Sequence, residues 1–242
     1  MAMRILVTND DGMHAPQLIP LIECCKKYGE VFCVVPKNEQ SGKSHGIELH
    51  SAFEAKRFDL CPDVTAWYVD STPADCVRFA ILGLHEKFDL VISGINKGLN
   101  IGTDMIYSGT VGAACEANAL GVNAMAISVS PDDYPNATAH LDKAFTFIFE
   151  NVLFDKNPIY NVNLPASPKG ILITRQGGPY YSDDFPHIGN NMYRPTGTCV
   201  YQSSDDISLD TDAVFSGYIS ITPITFDRTN YRVYDTLKSL NK

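Results

Sequence analysis

Short apolar runs alternate along the first half of the chain with segments whose apolar residues recur every three or four positions. Residues 4–8 (RILVT), 31–35 (VFCVV), 90–93 (LVIS) and 124–129 are short apolar stretches that read as strands buried on both faces. Between them, residues 16–28 carry Leu18, Leu21, Ile22 and Cys25 at helical spacing, with Gly29 as a stop. Pro20 falls inside that pattern and predicts a late start or a kink. Thr72 followed by Pro73 and Asp75 is a helix-start signature for a segment running to about Leu84. A further helix is predicted from Thr110 to Leu120, closed by Gly121. Another spans 137–153, with Leu141, Ala144, Phe145, Ile148 and Phe149 on one side. Repeated strand–helix units with buried strands predict an α/β fold: a Rossmann-like, mostly parallel sheet with helices on both faces.

The second half changes character. Residues 159–164, 171–175 and 218–221 read as strands, and 233–240 as a terminal helix. Residues 176–216 are rich in Gly, Pro, Tyr, Asp and Ser and read as an extended C-terminal β-hairpin arm. The expected organisation is one domain, 1–242, with the core in 1–175, the arm in 176–216, and a final strand and helix in 217–242.

Composition narrows the function. The chain has 242 residues, 45% hydrophobic, and 19 Lys+Arg against 28 Asp+Glu give a net charge of −9. So acidic a chain lacks the basic footprint of a nucleic-acid polymer binder or of a protein docking on anionic lipid. No apolar run approaches the ~18 residues of a membrane span. Seven cysteines without C-x-x-C spacing predict free thiols in a reducing cytoplasm.

In an open α/β sheet, ligands sit beyond the C-terminal ends of the strands. There the chain has Asn9-Asp10-Asp11-Gly12, Ser41-Gly42, Asn96 and Ser108-Gly109-Thr110. Adjacent carboxylates are costly to bury unless a cation compensates them, and Asp10, Asp11, Ser41 and Asn96 offer the hard oxygens that Mg²⁺ or Mn²⁺ favours. Asn-Asp-Asp-Gly is equally good turn chemistry with no ligand at all. Ser108-Gly109-Thr110 opens a helix of small residues, which is either an anion cradle or a plain N-cap. Gly42-Lys43-Ser44 resembles the end of a P-loop, but Lys37 stands where that motif needs glycine.

The motifs V-T-N-D-D-G at 7–12, Q-S-G at 40–42, T-P-A-D-C-V at 72–77 and S-G-I-N-K-G-L-N-I-G-T-D-M-I-Y-S-G-T-V-G-A-A at 93–114 together resemble the SurE family of survival-protein nucleotidases. Weaker matches at 160–165, 174–177 and 217–223 extend the resemblance over most of the chain. The resemblance implies a metal-dependent phosphatase of nucleoside 5′- and 3′-monophosphates that also trims short polyphosphate in some members. It implies one divalent ion per subunit, Mg²⁺ or Mn²⁺, on Asp10, Asp11, Ser41 and Asn96, with catalysis resting on Asp10, Asp11 and Asn96. The phosphate pocket maps onto Asn9, Gly42, Ser108, Gly109 and Thr110. Family members are dimers or tetramers that exchange C-terminal elements, so the arm is expected to serve a homodimer or homotetramer. Lys37 departs from the usual acidic residue and is expected to add positive charge near the pocket. Two other readings compete: a haloacid-dehalogenase-like phosphatase with an Asp nucleophile, and a non-catalytic nucleotide-binding regulator.

Overall fold

Strand β1 (Met3–Thr8) lies between β2 (Gly29–Pro36) and β5 (Leu90–Lys97), parallel to both, in a computed structural model that describes residues 2–241. With β4 (Thr65–Val69), β6 (Asn123–Val129) and β7 (Ile159–Leu164) they form a parallel run in the order β4-β2-β1-β5-β6-β7. β3 (Ala55–Arg57) adds antiparallel at one edge. At the other, β11 (Tyr218–Pro223) runs antiparallel to β7 and parallel to β8 (Gly170–Ile173), which closes a nine-stranded sheet. The chain builds outward from β1 through β2 and β4, then crosses to β5 on the other side. The crevice between β1 and β5 is therefore the topological switch point, where this class of sheet binds ligands.

Alternation along β1 sends Ile5 and Val7 to one face and Leu6 to the other. The first face packs α1 (Leu18–Cys25) and α4 (Leu141–Glu150) through Leu21, Ile22, Phe145 and Ile148. The second packs α2 (Pro73–Arg78) and α3 (Gly109–Ala119) through Val77, Ala113 and Ala117. The expected α/β sandwich is thus present, and the Thr72 hydroxyl accepts the Asp75 N–H at the start of α2. α1 starts late, at Leu18, and so keeps Pro20 in the first turn, where its missing N–H costs nothing. α4 is shorter than the periodicity predicts. Residues Pro131–His140, with Pro135 among them, form 3₁₀ turns instead.

The hairpin of the arm is β9 (Tyr181–Asp184) with β10 (Thr196–Cys199), exposed along its length. The extended region ends sooner than 216. Helix α5 (Asp210–Phe215) returns to the body and is buried beside β11. After β11, α6 (Tyr231–Leu237) buries none of its residues. The described chain exposes 12,660 Å², against roughly 11,000 Å² for a compact monomer of this mass. Among the described residues no helix is long and apolar enough to cross a membrane.

Candidate active site

The loop after β1 is shaped by Asn9. Its side-chain amide donates to the Gly12 carbonyl and its oxygen accepts the Gly12 N–H, at 3.0 and 3.1 Å. This closed Asx turn sets Asp10 and Asp11 at the mouth of the switch crevice. Asn9, expected to touch phosphate, has both polar side-chain groups engaged in holding that turn. The main-chain carbonyl of Asp10 accepts the Gln40 N–H at 2.7 Å, which ties the loop after β2 to the same edge.

Asp10 is 4% exposed. Burial pushes its carboxyl up to about 6, opposed chiefly by the Thr110 hydroxyl, which donates to Oδ1 at 2.5 Å. Asp11 is half-buried. Burial raises its carboxyl as well, against the Tyr134 hydroxyl that donates to Oδ2 at 3.3 Å. Among the described residues no Lys, Arg or His forms an ion pair with either carboxylate. Nor, among the described residues, do three His, Cys, Asp or Glu gather so as to hold a metal ion. A cation here would take two carboxylates and complete its shell with neutral oxygens, which suits a hard divalent ion. Asn96, at the end of β5, donates its amide to the Gly98 carbonyl at 2.8 Å and so leaves its oxygen free to accept. Ser41 is exposed, and its hydroxyl donates to Glu39 at 2.7 Å.

Helix α3 enters the site end-on. Ser108 caps it, its hydroxyl accepting the Val111 N–H at 3.2 Å. The first amides of the helix, Gly109 and Thr110, have no partner within it, by their position. A Cβ at Gly109 would lie 3.2 Å from the Asp10 Cβ and 3.3 Å from the Gln40 carbonyl. Glycine there lets the positive end of the helix abut the carboxylate. Gly42, fully open at φ +70°, sits on the rim with Ser41. The structure therefore brings together Asn9, Asp10, Asp11, Asn96, Ser108, Gly109 and Thr110, with Ser41 and Gly42 at their border.

One neighbour escaped the sequence reading: Tyr134, which reaches Asp11 from the 3₁₀ segment after β6. Lys97 lies with its ammonium 5.9 Å from the Tyr134 ring centre. The signal for Tyr134 was its place just beyond a strand's C-terminal end. Lys37 brings no free charge to the pocket, because its ammonium pairs with Glu54 at 3.1 Å and Asp70 at 3.6 Å. His45 is likewise engaged, 2.6 Å from Glu116, which also accepts from Arg78 at 2.8 Å. A cavity of about 950 Å³ opens alongside α3, lined by Ser44, Ser108, Val111, Cys115 and Phe226 among others.

Comparisons with known proteins point to one family. The profile of the family described as Survival protein SurE matches residues 5–183. A protein named 5′-nucleotidase SurE from Pelotomaculum thermopropionicum is 39% identical, covering 99% of this chain and 96% of that protein. Its namesake from Carboxydothermus hydrogenoformans is 40% identical over 98% and 96%. The crystal structure of the SurE protein from Aquifex aeolicus superposes with a TM-score of 0.78 at 31% identity, covering 99% of this chain and all of that one.

Proposed function

The chain belongs to the SurE family of survival proteins, and from that premise we propose how its residues perform a phosphatase reaction. The activity is that of a metal-dependent 5′-nucleotidase, which releases phosphate from nucleoside monophosphates. The observation that carries the mechanism is a pair of adjacent carboxylates, one fully buried and neither ion-paired, facing the first turn of α3. Asp10 and Asp11 would hold one Mg²⁺ or Mn²⁺, with oxygens from Ser41 and Asn96. When bound, the ion supplies Lewis-acid charge to the phosphoryl oxygens and acidifies water.

The chain's own groups do the rest. Asn9 keeps the turn in shape. The Thr110 hydroxyl orients Asp10 by donating to Oδ1. The N–H groups of Gly109 and Thr110 donate to the phosphoryl oxygens and hold the charge that develops on them. Gly42 and Ser108 line the same cradle. Asp10 or Asp11 takes the proton of the attacking water, the P–O ester bond breaks, and the leaving nucleoside hydroxyl takes up a proton from solvent. Hydrolysis of 3′-monophosphates and of short polyphosphate belongs to the same proposal, since the cradle reads the phosphoryl group.

The exposed apolar side chains of the arm (Tyr181, Phe185, Ile188, Met192) and of α6 (Val233, Tyr234, Leu237) support a homodimer or homotetramer built through the C-terminal elements. The cysteines, none of them disulfide-bonded, suit a reducing cytoplasm.

The test is phosphate release from a panel of nucleoside 5′- and 3′-monophosphates with Mg²⁺, Mn²⁺ or excess chelator, for the wild type and Asp11→Asn. Turnover should require metal and fall steeply in the variant. A folded wild type that releases no phosphate with either metal would refute the reading.

A further inference from the structure

The loop that leads into the phosphate cradle is joined to the root of the arm by two carboxylates, one on each side of the junction. Asp210, at the start of α5 and fully buried, accepts the N–H groups of Gly102 (3.0 Å to Oδ2), Gly177 (2.8 Å) and Thr211 (2.8 Å). Asp104 accepts the N–H groups of Tyr180 and Tyr181 on one oxygen, at 2.9 and 2.7 Å. Two more bonds cross the same junction, one in each direction: Thr103 N–H to the Gly178 carbonyl, and the Gln176 amide to the Gly102 carbonyl. The contact is so close that a Cβ on Gly102 would lie 1.9 Å from the Gly178 oxygen. On its other side the loop is fixed to the sheet at Asn100, whose carbonyl accepts from both Asn161 and Asn163.

Between grip and cradle there is no slack. Residues Gly102–Tyr107 form a 3₁₀ helix, and the residue that ends it, Ser108, is the one that caps α3. A displacement at Gly102 or Asp104 therefore passes to Gly109 and Thr110 without a flexible joint to absorb it. Asp10 and Asp11 hang from β1, and Asp10 meets this path at the Thr110 hydroxyl. We propose that Asp104, supported by Asp210, is a positioning residue for the phosphate cradle, so that the root of the arm sets phosphate affinity. The role rests on the nucleotidase reading above, since it assigns Gly109 and Thr110 to the phosphoryl group.

The arm is then more than an assembly element. Its first residues, 176–181, are part of the scaffold that aims the helix end. An error of about 1 Å in such an aim is enough to cost one or two orders of magnitude.

Asp104 is only half-buried, so Asp104→Ala should fold, and Asp104→Asn keeps an oxygen able to accept both tyrosine amides. Inorganic phosphate binding and Mn²⁺ binding are measured by calorimetry, beside kcat and KM for a nucleoside 5′-monophosphate, thermal stability and mass. Asp104→Ala should weaken phosphate about tenfold and raise KM in step, with Mn²⁺ affinity within about twofold of wild type. Asp104→Asn should return phosphate affinity to within about threefold. An alanine variant that binds phosphate as the wild type does, even with a lower melting point, would overturn the assignment. So would a parallel loss of phosphate and Mn²⁺ affinity, which would mark a general loosening. A wild type that binds phosphate but hydrolyses no nucleotide would refute the nucleotidase reading alone, and the variants would still decide the positioning role. A wild type that binds no phosphate would overturn both.

Discussion

Replacing Asp10 by Asn should stabilise the metal-free protein while abolishing its chemistry. The Asp10 carboxyl is 4% exposed and moves from 3.8 to about 6 on folding, chiefly through burial, with Asp11 adding repulsion. Two pK units correspond to about 3 kcal/mol between its charged and neutral forms. The sign follows from proton uptake. Between pH 3.8 and 6 the folded state binds more protons than the unfolded, so stability from this residue falls as pH rises, and the full penalty stands above pH 6. The substituted amide would carry no charge and still offer Thr110 an oxygen to donate to. In excess chelator at pH 8 the variant should therefore be more stable by up to about 3 kcal/mol, or roughly 6–12 °C for a chain of this length. At pH 4 the two should nearly coincide. Mn²⁺ at about a hundred times its dissociation constant should raise the wild type by about 2.7 kcal/mol and leave the variant where it was. Metal-dependent phosphate release should drop at least ~100-fold. The assay is thermal denaturation from pH 4 to 8, with chelator and with Mn²⁺. A variant less stable than wild type in chelator at pH 8, or a difference that does not change with pH, would refute the claim that an uncompensated buried charge is built into this site.

Three further substitutions probe the scaffold. Gly102→Ala would force a side chain at φ +58° against the Gly178 oxygen, breaking the Thr103 and Asp210 bonds; a loss of about 3–5 kcal/mol is expected in denaturant titration. Glu116→Gln would remove the charge that both His45 and Arg78 engage. Those partners, His45 first, hold the Glu116 carboxyl below its usual range, so its contribution is present above pH 4.5 and is lost as pH falls. The variant should cost about 1–3 kcal/mol at pH 7, and the gap to wild type should shrink in acid. Thr72→Ala deletes the cap of α2 and should cost about 1 kcal/mol, read as a melting point lower by roughly 2–4 °C.

The strands around the switch crevice were legible because each is a short apolar run buried on both sides. β1, β2, β5 and β6 lie close to where those runs place them. The Thr72-Pro73 start was legible because capping is a local matter of one hydroxyl and one N–H. What could not be read depends on partners distant in sequence. α5 contains Asp210 and Asp212, and no local pattern says that acids in a Ser- and Asp-rich stretch will be buried. Asp210 is buried because Gly102, more than a hundred residues earlier, supplies an N–H to it. The charge of Lys37 looked free for the same reason, since Glu54 and Asp70 reach it only once β2 and β4 pair. In the site, the strand-end rule gathered Asp10, Asn96 and the start of α3. It could not show that Asn9 would be occupied by Gly12, or that Ser41 would turn toward Glu39.

The placing of β11 between β7 and β8 bears on how the protein is made. Among the described residues β8 has no sheet partner except β11, and 44 residues lie between Ile173 and Tyr218. At ~5–20 residues per second, a ribosome needs roughly 2–9 s to cover that distance. Throughout the interval the nascent chain carries β7 with one edge open and β8 with both open, a state that invites pairing with a neighbouring chain. Slowing translation between codons 174 and 217 would lengthen that exposure, and a chain terminated before residue 218 would never leave it.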